Sequence, residues 1–151
     1  MQILDCPLCK PSLHEVLWQD DFCRVVLLGD AHYPGYCRVE LLAHVKEMTD
    51  LAAQARHRLM NVVYVVEQVL RYTLSPIKVN LASLGNKTPH LHWHVIPRFT
   101  EDLHFPNSHW GEVTRSNVPL DDVEPCVCEK PLSLTQISAI KVALLKNLAV
   151  L

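Results

Sequence analysis

Glycine is scarce in this chain, and its basic residues form no cluster. Only four of the 151 residues are glycine, and neither GxxxxGK[ST] nor GxGxxG occurs, which argues against the common glycine-rich phosphate loops. Lysine and arginine total 14 against 16 acidic residues, a net charge of −2. Since no basic run accompanies that charge, we expect no nucleic-acid partner.

Long apolar runs are missing as well. No segment approaches the ~18 uncharged apolar residues that span a bilayer, and the first residues lack the basic and apolar regions of a secretory signal. We therefore expect a cytoplasmic protein with no membrane partner. Hydrophobic residues make up 49% of the chain, which is enough for a core of its own. In such a chain, the six cysteines indicate free thiols or metal ligands, not disulfides.

The hydrophobic pattern predicts strands, a long helix, further strands and a terminal helix. Apolar residues recur at three- and four-residue spacing from about 50 to 73, with Thr49 and Asp50 as the predicted N-cap. Ser133 and Gln136 form a capping-box pattern before the last helix. This order predicts an α+β domain with an antiparallel sheet of about five strands, one long central helix and a C-terminal helix. Strands are expected over 15–18, 23–28, 37–43, 77–83 and 91–99, and the last helix over about 134–149.

Three of the nine histidines fall within five residues, at His90, His92 and His94. On a strand, residues two apart share one face, with their Cα atoms ~6.6 Å apart. Three interpretations of such a row stay open: incidental histidines on a solvated face, a catalytic metal site, and nucleophilic catalysis on phosphorus. Imidazole suits the third, because its ordinary pKa of ~6.5 leaves it mostly neutral at pH 7.

The run from His90 to Pro97 resembles the HφHφHφφ signature of the histidine triad (HIT) superfamily. The turn at 33–36 and the strand that ends near His44 are similar to the same family, and the resemblance covers about residues 5–99. It implies a HIT-like fold. The expected catalytic domain spans 1–111 and includes an N-terminal zinc segment, and a C-terminal arm and helix over 112–151 pack on the same domain.

The resemblance implies a nucleotide hydrolase or nucleotidyltransferase that acts at the α-phosphorus of a nucleotide ester, anhydride or phosphoramidate. His92 would attack the phosphorus and form a nucleotidyl-histidine, which water then hydrolyses. His94 would contact the α-phosphate or the bridging oxygen. A homodimer with a sheet continuous across its interface is also implied.

Four further residues are expected to bind the substrate. By the resemblance, Asn80 would hydrogen-bond the phosphate or ribose, and Asp30 is a candidate for the ribose hydroxyls. Many family members carry Gly-Gln-Ser/Thr before the first histidine, where this chain has Gly85-Asn86-Lys87-Thr88. We expect Asn86 and Lys87 to contact the substrate there, with a leaving-group preference that this departure leaves open.

A zinc-bearing branch of the superfamily suggests a role for one cysteine pair. That branch uses a CxxC motif, the histidine at the His44 position and the first triad histidine, so zinc would be held by Cys6, Cys9, His44 and His90. His90 would then be a ligand and not a catalyst. An unmetallated pair of cysteines stays open.

Two alternatives to an enzyme remain open from the sequence. One is a nucleotide-binding module with little or no catalysis, which the altered loop before His90 motivates. The other is a zinc-dependent structural protein in which all three histidines serve metal or fold. Cys126 and Cys128 form a second pattern that could bind a metal, and His104, His109 and Trp110 are candidates for shaping the substrate pocket.

Overall fold

The structure is a computed structural model that describes residues 5–114 and 131–149, so Cys126 and Cys128 lie outside the described residues. It contains five strands, namely β1 (Glu15–Gln19), β2 (Cys23–Leu27), β3 (Cys37–Leu41), β4 (Lys78–Ala82) and β5 (His92–Arg98). They form one antiparallel sheet in the order β1-β2-β3-β5-β4. With the helices α1 (Ala53–Leu74) and α2 (Leu134–Leu148), they confirm the predicted α+β architecture.

Alternation along β5 separates the core from the candidate site. Val95 is fully buried and Trp93 is half-buried on the face that packs against α1. His92, His94 and Ile96 share the opposite face, because successive strand residues point to opposite sides. The same residues that build the core therefore fix the direction of the histidines.

Both helices pack on the inner face of the sheet and on each other. The predicted capping box of α2 is confirmed, since Ser133 Oγ accepts from the Gln136 backbone N–H at 3.2 Å and the Gln136 side chain accepts from the Ser133 N–H at 3.0 Å. Neither of these two helices combines the length and apolar character that a membrane span needs. The buried residues of α1 are Leu59, Val62, Val63, Val66, Val69 and Leu70, and those of α2 are Ile140, Leu144 and Leu148.

The start of α1 differs from the prediction. The helix begins at Ala53, and the segment Met48–Asp50 forms a separate 3₁₀ turn. Asp50 Oδ2 accepts from the Glu47 backbone N–H at 3.3 Å, so this side chain caps the short turn and not the long helix. The predicted N-cap at Thr49 and Asp50 is therefore wrong, and Ala52 occupies that position.

Candidate active site

The three clustered histidines divide into two groups. Strand β5 begins at His92, so His90 precedes it and turns toward the N-terminal cysteines. The rings of His92 and His94 lie edge to face, with centroids 4.9 Å apart. All three imidazoles are buried. The shared strand face expected from the spacing therefore holds for the last two histidines, and the first belongs to a different cluster.

The backbone fixes which nitrogen of His92 is free. His92 Nδ1 lies 2.6 Å from the carbonyl oxygen of His90. Because a carbonyl can only accept, Nδ1 donates its proton there, and the lone pair of the neutral ring is on Nε2. Burial lowers the pKa of His92, with a smaller contribution from the charge of Arg38, so the neutral ring is favoured at pH 7.

His94 has a side-chain partner in place of a backbone one. Its Nδ1 lies 2.7 Å from Tyr36 Oη, and the ring of Trp110 meets it edge to face at 5.2 Å between centroids. Burial, helped by the neighbouring His92, lowers the pKa of His94 to about 4. Burial also raises the pKa of Tyr36 to about 12, so the phenol keeps its proton and is able to donate it to Nδ1.

Asn80 lies on a cleft whose wall includes Trp110, the residue whose ring meets His94. Its Oδ1 accepts from Arg98 Nη1 at 2.7 Å, and Arg98 is held in turn by Asp102 at 2.6 Å. With its oxygen occupied, the side-chain amide group of Asn80 is oriented to donate. The cleft has a volume of about 610 Å³, and His109 and Trp110 form part of its wall.

The other predicted substrate residues occupy two different places. Asp30 lies in the turn after β2, close enough to Tyr36 to help raise its pKa, although burial has the larger effect. Asn86 and Lys87 are exposed in the loop before β5. Asn86 lines a second cleft of about 830 Å³ together with Lys46. Asp30 and Asn80 therefore lie on the side of the sheet that carries His92 and His94. Asn86 and Lys87 lie on a solvent-exposed loop.

Four donors converge beside the sheet as the resemblance implies. The ligand atoms of Cys6, Cys9, His44 and His90 all lie within 4.8 Å of one another. Sulfur–nitrogen distances of 3.4, 3.4 and 3.6 Å match the edge of about 3.6 Å that tetrahedral zinc imposes between thiolate and imidazole. His90 Nε2 donates to the carbonyl of Leu41 at 2.7 Å, which directs its Nδ1 lone pair toward the thiols. This Cys₂His₂ group can hold a metal ion.

Three residues of this site were not predicted from the sequence, namely Tyr36, Arg38 and Glu40. In the β3–β5 register Arg38 lies opposite His94, and Glu40 lies opposite His92. The signal was present, because Arg38-Val39-Glu40 alternates polar and apolar residues within an otherwise apolar strand. Such alternation indicates a strand face that meets polar groups.

Comparisons with known proteins agree with this geometry. A family model described as the HIT domain matches residues 12–101. Among solved structures, a histidine triad protein from Bradyrhizobium japonicum is 25% identical with a TM-score of 0.66, covering 89% of this chain and 90% of that one. One from Marinobacter aquaeolei VT8 is 24% identical with a TM-score of 0.65, covering 91% and 90%.

A more distant structure has the same fold. It is described as a hypothetical histidine triad nucleotide-binding protein from Sulfolobus tokodaii strain 7, with 15% identity, a TM-score of 0.59, and coverage of 95% of this chain and 92% of that one. No curated protein sequence matches the chain significantly. Because the HIT domain model matches more than half of the residues, and the triad and fold agree with it, the chain belongs to the HIT family.

Proposed function

We propose that the chain is a nucleotide hydrolase or nucleotidyltransferase that works at the α-phosphorus through a nucleotidyl-histidine. The observation that carries the proposal is the hydrogen bond from His92 Nδ1 to the His90 carbonyl at 2.6 Å. It leaves the Nε2 lone pair available, in a ring that burial keeps neutral. A neutral, oriented imidazole is what covalent catalysis on phosphorus requires.

The reaction divides into two displacements. His92 Nε2 attacks the α-phosphorus, a P–N bond forms, and the bond from phosphorus to the leaving oxygen or nitrogen breaks with its electron pair going to the leaving group. The positive charge that develops on the ring is stabilised by the Nδ1–H bond to the His90 carbonyl. Water then attacks the same phosphorus, the P–N bond breaks, and a nucleoside monophosphate is released.

His94 is the proposed hydrogen-bond donor toward the phosphate or the bridging oxygen. When the Tyr36 hydroxyl donates to Nδ1, at 2.7 Å, the neutral ring of His94 carries its own proton on Nε2. His92 and His94 would then be opposite tautomers, one with a lone pair and one with an N–H directed to the substrate. This difference lets two adjacent imidazoles take separate roles.

Four residues are proposed to position the substrate. Asn80, whose oxygen is held by Arg98, would donate its amide protons to the phosphate or ribose. Asp30 would accept from the ribose hydroxyls, which is compatible with its place on the histidine side of the sheet. Asn86 and Lys87 are proposed to meet the leaving group. Their exposure suits a leaving group that extends into solvent.

We also propose that the Cys₂His₂ group binds one structural zinc ion. Zinc accepts two thiolates and two imidazoles in a tetrahedron, and the donor distances fit that geometry. The ion would fix the segment around Cys6 and Cys9 against His90, whose carbonyl orients the proposed nucleophile. Zinc would therefore support the site without contacting the substrate.

A homodimer with a continuous sheet is proposed as the assembly. Strand β4 ends the sheet, so its outer edge is available for pairing with a second copy. Helix α1 exposes Tyr64 and Tyr72, with 54% and 84% of their surface accessible. Sedimentation velocity should give about twice the monomer mass of 17.2 kDa. A monomer at micromolar concentration would contradict this assembly.

Steady-state turnover tests the proposed activity. With a nucleoside phosphoramidate and a dinucleoside polyphosphate as substrates, His92→Ala should lower kcat by about 10³-fold or more while nucleotide binding and fold are retained. His57→Ala, which changes an exposed histidine on α1, is the matched control and should behave as wild type. Release of nucleoside monophosphate by His92→Ala within tenfold of wild type would contradict the assignment. Saturable binding without turnover by the wild type would favour a nucleotide-binding module.

A further inference from the structure

A buried charge network lies on the same sheet face as the histidine pair. Glu40 is fully buried and accepts from two arginines, with Arg24 Nε at 2.6 Å from one carboxylate oxygen and Arg38 Nε at 2.6 Å from the other. Two guanidinium groups and one carboxylate carry a net charge of +1. A buried net charge is costly unless an opposite charge meets it.

The two arginines of this network differ in what their remaining N–H groups contact. Arg24 uses all three of its nitrogens, since its Nε donates to Glu40, its Nη1 to the Lys10 carbonyl and its Nη2 to the Leu8 carbonyl. Arg38 uses Nε and Nη2 on Glu40. Within residues 5–114 and 131–149, Nη1 of Arg38 makes no hydrogen bond to another residue.

The two arginines also differ in their position relative to His94 and to solvent. Arg38 is paired directly with His94 in the β3–β5 register, and side chains at paired strand positions lie ~5 Å apart at Cβ. Its side chain retains 18% of its accessible surface, whereas that of Arg24 retains 7%. The Nη1 edge of Arg38, which makes no hydrogen bond within the described residues, is therefore the part of the network that an incoming ligand beside His94 can reach.

We propose that Arg38 is the anion-binding residue of this site, donating Nη1–H bonds to non-bridging oxygens of the phosphoryl group presented to His92. This inference rests on the proposed function and adds a residue to it. Guanidinium suits the role, because it is always charged and its planar donors fit phosphate oxygens. Glu40 holds Arg38 in place, so the cation is oriented before the substrate arrives.

A fixed cation beside His94 complements this ring, which does not supply a positive charge of its own. Burial lowers the pKa of His94 to about 4, so that ring is neutral at pH 7. The guanidinium edge of Arg38 is then the group that meets the negative charge on the phosphoryl oxygens as His92 attacks. Arg38 transfers no proton and forms no covalent bond.

Phosphate binding by matched arginine variants tests the role of Arg38. We would measure the affinity of inorganic phosphate and adenosine monophosphate by titration calorimetry for wild type, Arg38→Met, Arg38→Lys and Arg24→Met, with adenosine as the uncharged probe. Arg38→Met leaves the neutral Arg24–Glu40 pair, so it should fold. Its affinity for both anions should fall roughly 10- to 100-fold, with adenosine affinity unchanged.

Arg24→Met is the control, because it removes the other arginine from the same carboxylate. It should keep phosphate affinity within about twofold while lowering the melting temperature, since Leu8 and Lys10 lose their donor. Arg38→Lys preserves the charge beside Glu40 without the guanidinium edge, and it should bind phosphate about tenfold more weakly even if the methionine variant is unstable.

Three results would overturn the role of Arg38. They are wild-type phosphate affinity in both Arg38 variants, an equal loss in Arg24→Met, and no phosphate binding by the wild type. The proposed function fails separately, if His92→Ala retains turnover. An active enzyme that depends on His92 but not on Arg38 would reject this inference alone.

Discussion

At the scale of single residues, the partner of each Nδ1 atom distinguishes two neighbouring imidazoles. The His90 carbonyl can only accept, which leaves His92 with a lone pair at Nε2. The Tyr36 phenol is able to donate to Nδ1 of His94, which leaves the proton of that ring on Nε2. Proposed nucleophile and proposed donor thus differ by their hydrogen-bond partners and not by residue type.

Tyr36→Phe tests this distinction with a change of one oxygen atom. The ring stays in its packing environment, so we expect the fold to remain, while loss of the hydroxyl frees the tautomer of His94. The expected result is a fall in kcat of roughly 10- to 100-fold with KM changed much less, measured by initial rates. Tyr33→Phe, which removes a hydroxyl bonded to His104, is the matched control. Equal rates for wild type and Tyr36→Phe would refute the role of the phenol.

The sequence predicted the histidines of the site but not their hydrogen-bond partners. His92 and His94 stand two apart in a motif that can be read directly, whereas Tyr36 lies 58 residues from its partner. Only the pairing of β3 with β5 brings these residues together, and strand pairing depends on long-range packing. Arg38 and Glu40 were missed for the same reason.

At the scale of elements, the N-terminal 3₁₀ turn is held to the sheet by both backbone and side-chain contacts. The turn spans Pro7–Cys9, and Arg24 on β2 donates to the carbonyl of Leu8 within it. The thiols of Cys6 and Cys9 lie against His90, directly before β5. A turn of three residues has little stability of its own, so these anchors determine its position.

Metal analysis tests whether the group that contains Cys6, Cys9 and His90 binds zinc. We expect about one zinc per wild-type chain and its loss in Cys6→Ser, with a melting temperature lower by several degrees, as measured by plasma emission spectroscopy and thermal unfolding. Cys23→Ser is the control, because Cys23 is buried in β2 and stands outside the donor group. Full zinc content in Cys6→Ser, or none in the wild type, would disprove the zinc assignment.

Element types were predictable to a greater extent than their arrangement or ends. The periodicity indicated five strands and two helices, and the capping box at Ser133 indicated where α2 starts. The order that inserts β5 between β3 and β4 was not readable, because alternation shows which face is buried and not which strand is adjacent. The start of α1 was wrong because Asp50 caps a separate turn, a local competition that composition does not reveal.

At the scale of the whole molecule, the buried imidazole of His94 links stability to pH. Its pKa is about 4 in the folded protein and ~6.5 when unfolded, so between these values the unfolded chain binds more protons. Stability is therefore fully present above about pH 6.5 and falls on acidification toward pH 4. For this group alone, the loss between about pH 7.5 and pH 5 is about 2 kcal/mol.

The contribution of His94 can be isolated by difference. Urea unfolding at both pH values should show that the free energy of unfolding of wild type, minus that of His94→Gln, falls by about 2 kcal/mol at the lower pH. Other titrating groups are common to both proteins, so their contributions cancel to first order. If this difference stays constant or rises on acidification, His94 is not held neutral by burial.

Covalent attachment of a nucleotide to His92 would be visible by intact-protein mass spectrometry after a quench without acid. Wild type, His92→Ala and His57→Ala would each be mixed with a nucleoside phosphoramidate and with a dinucleoside polyphosphate. We expect one added nucleoside monophosphoryl group, or its hydrolysis product, in wild type and in His57→Ala, and neither adduct nor product in His92→Ala. Nucleotide binding by the wild type without adduct or product, or an adduct that persists in His92→Ala, would contradict this expectation.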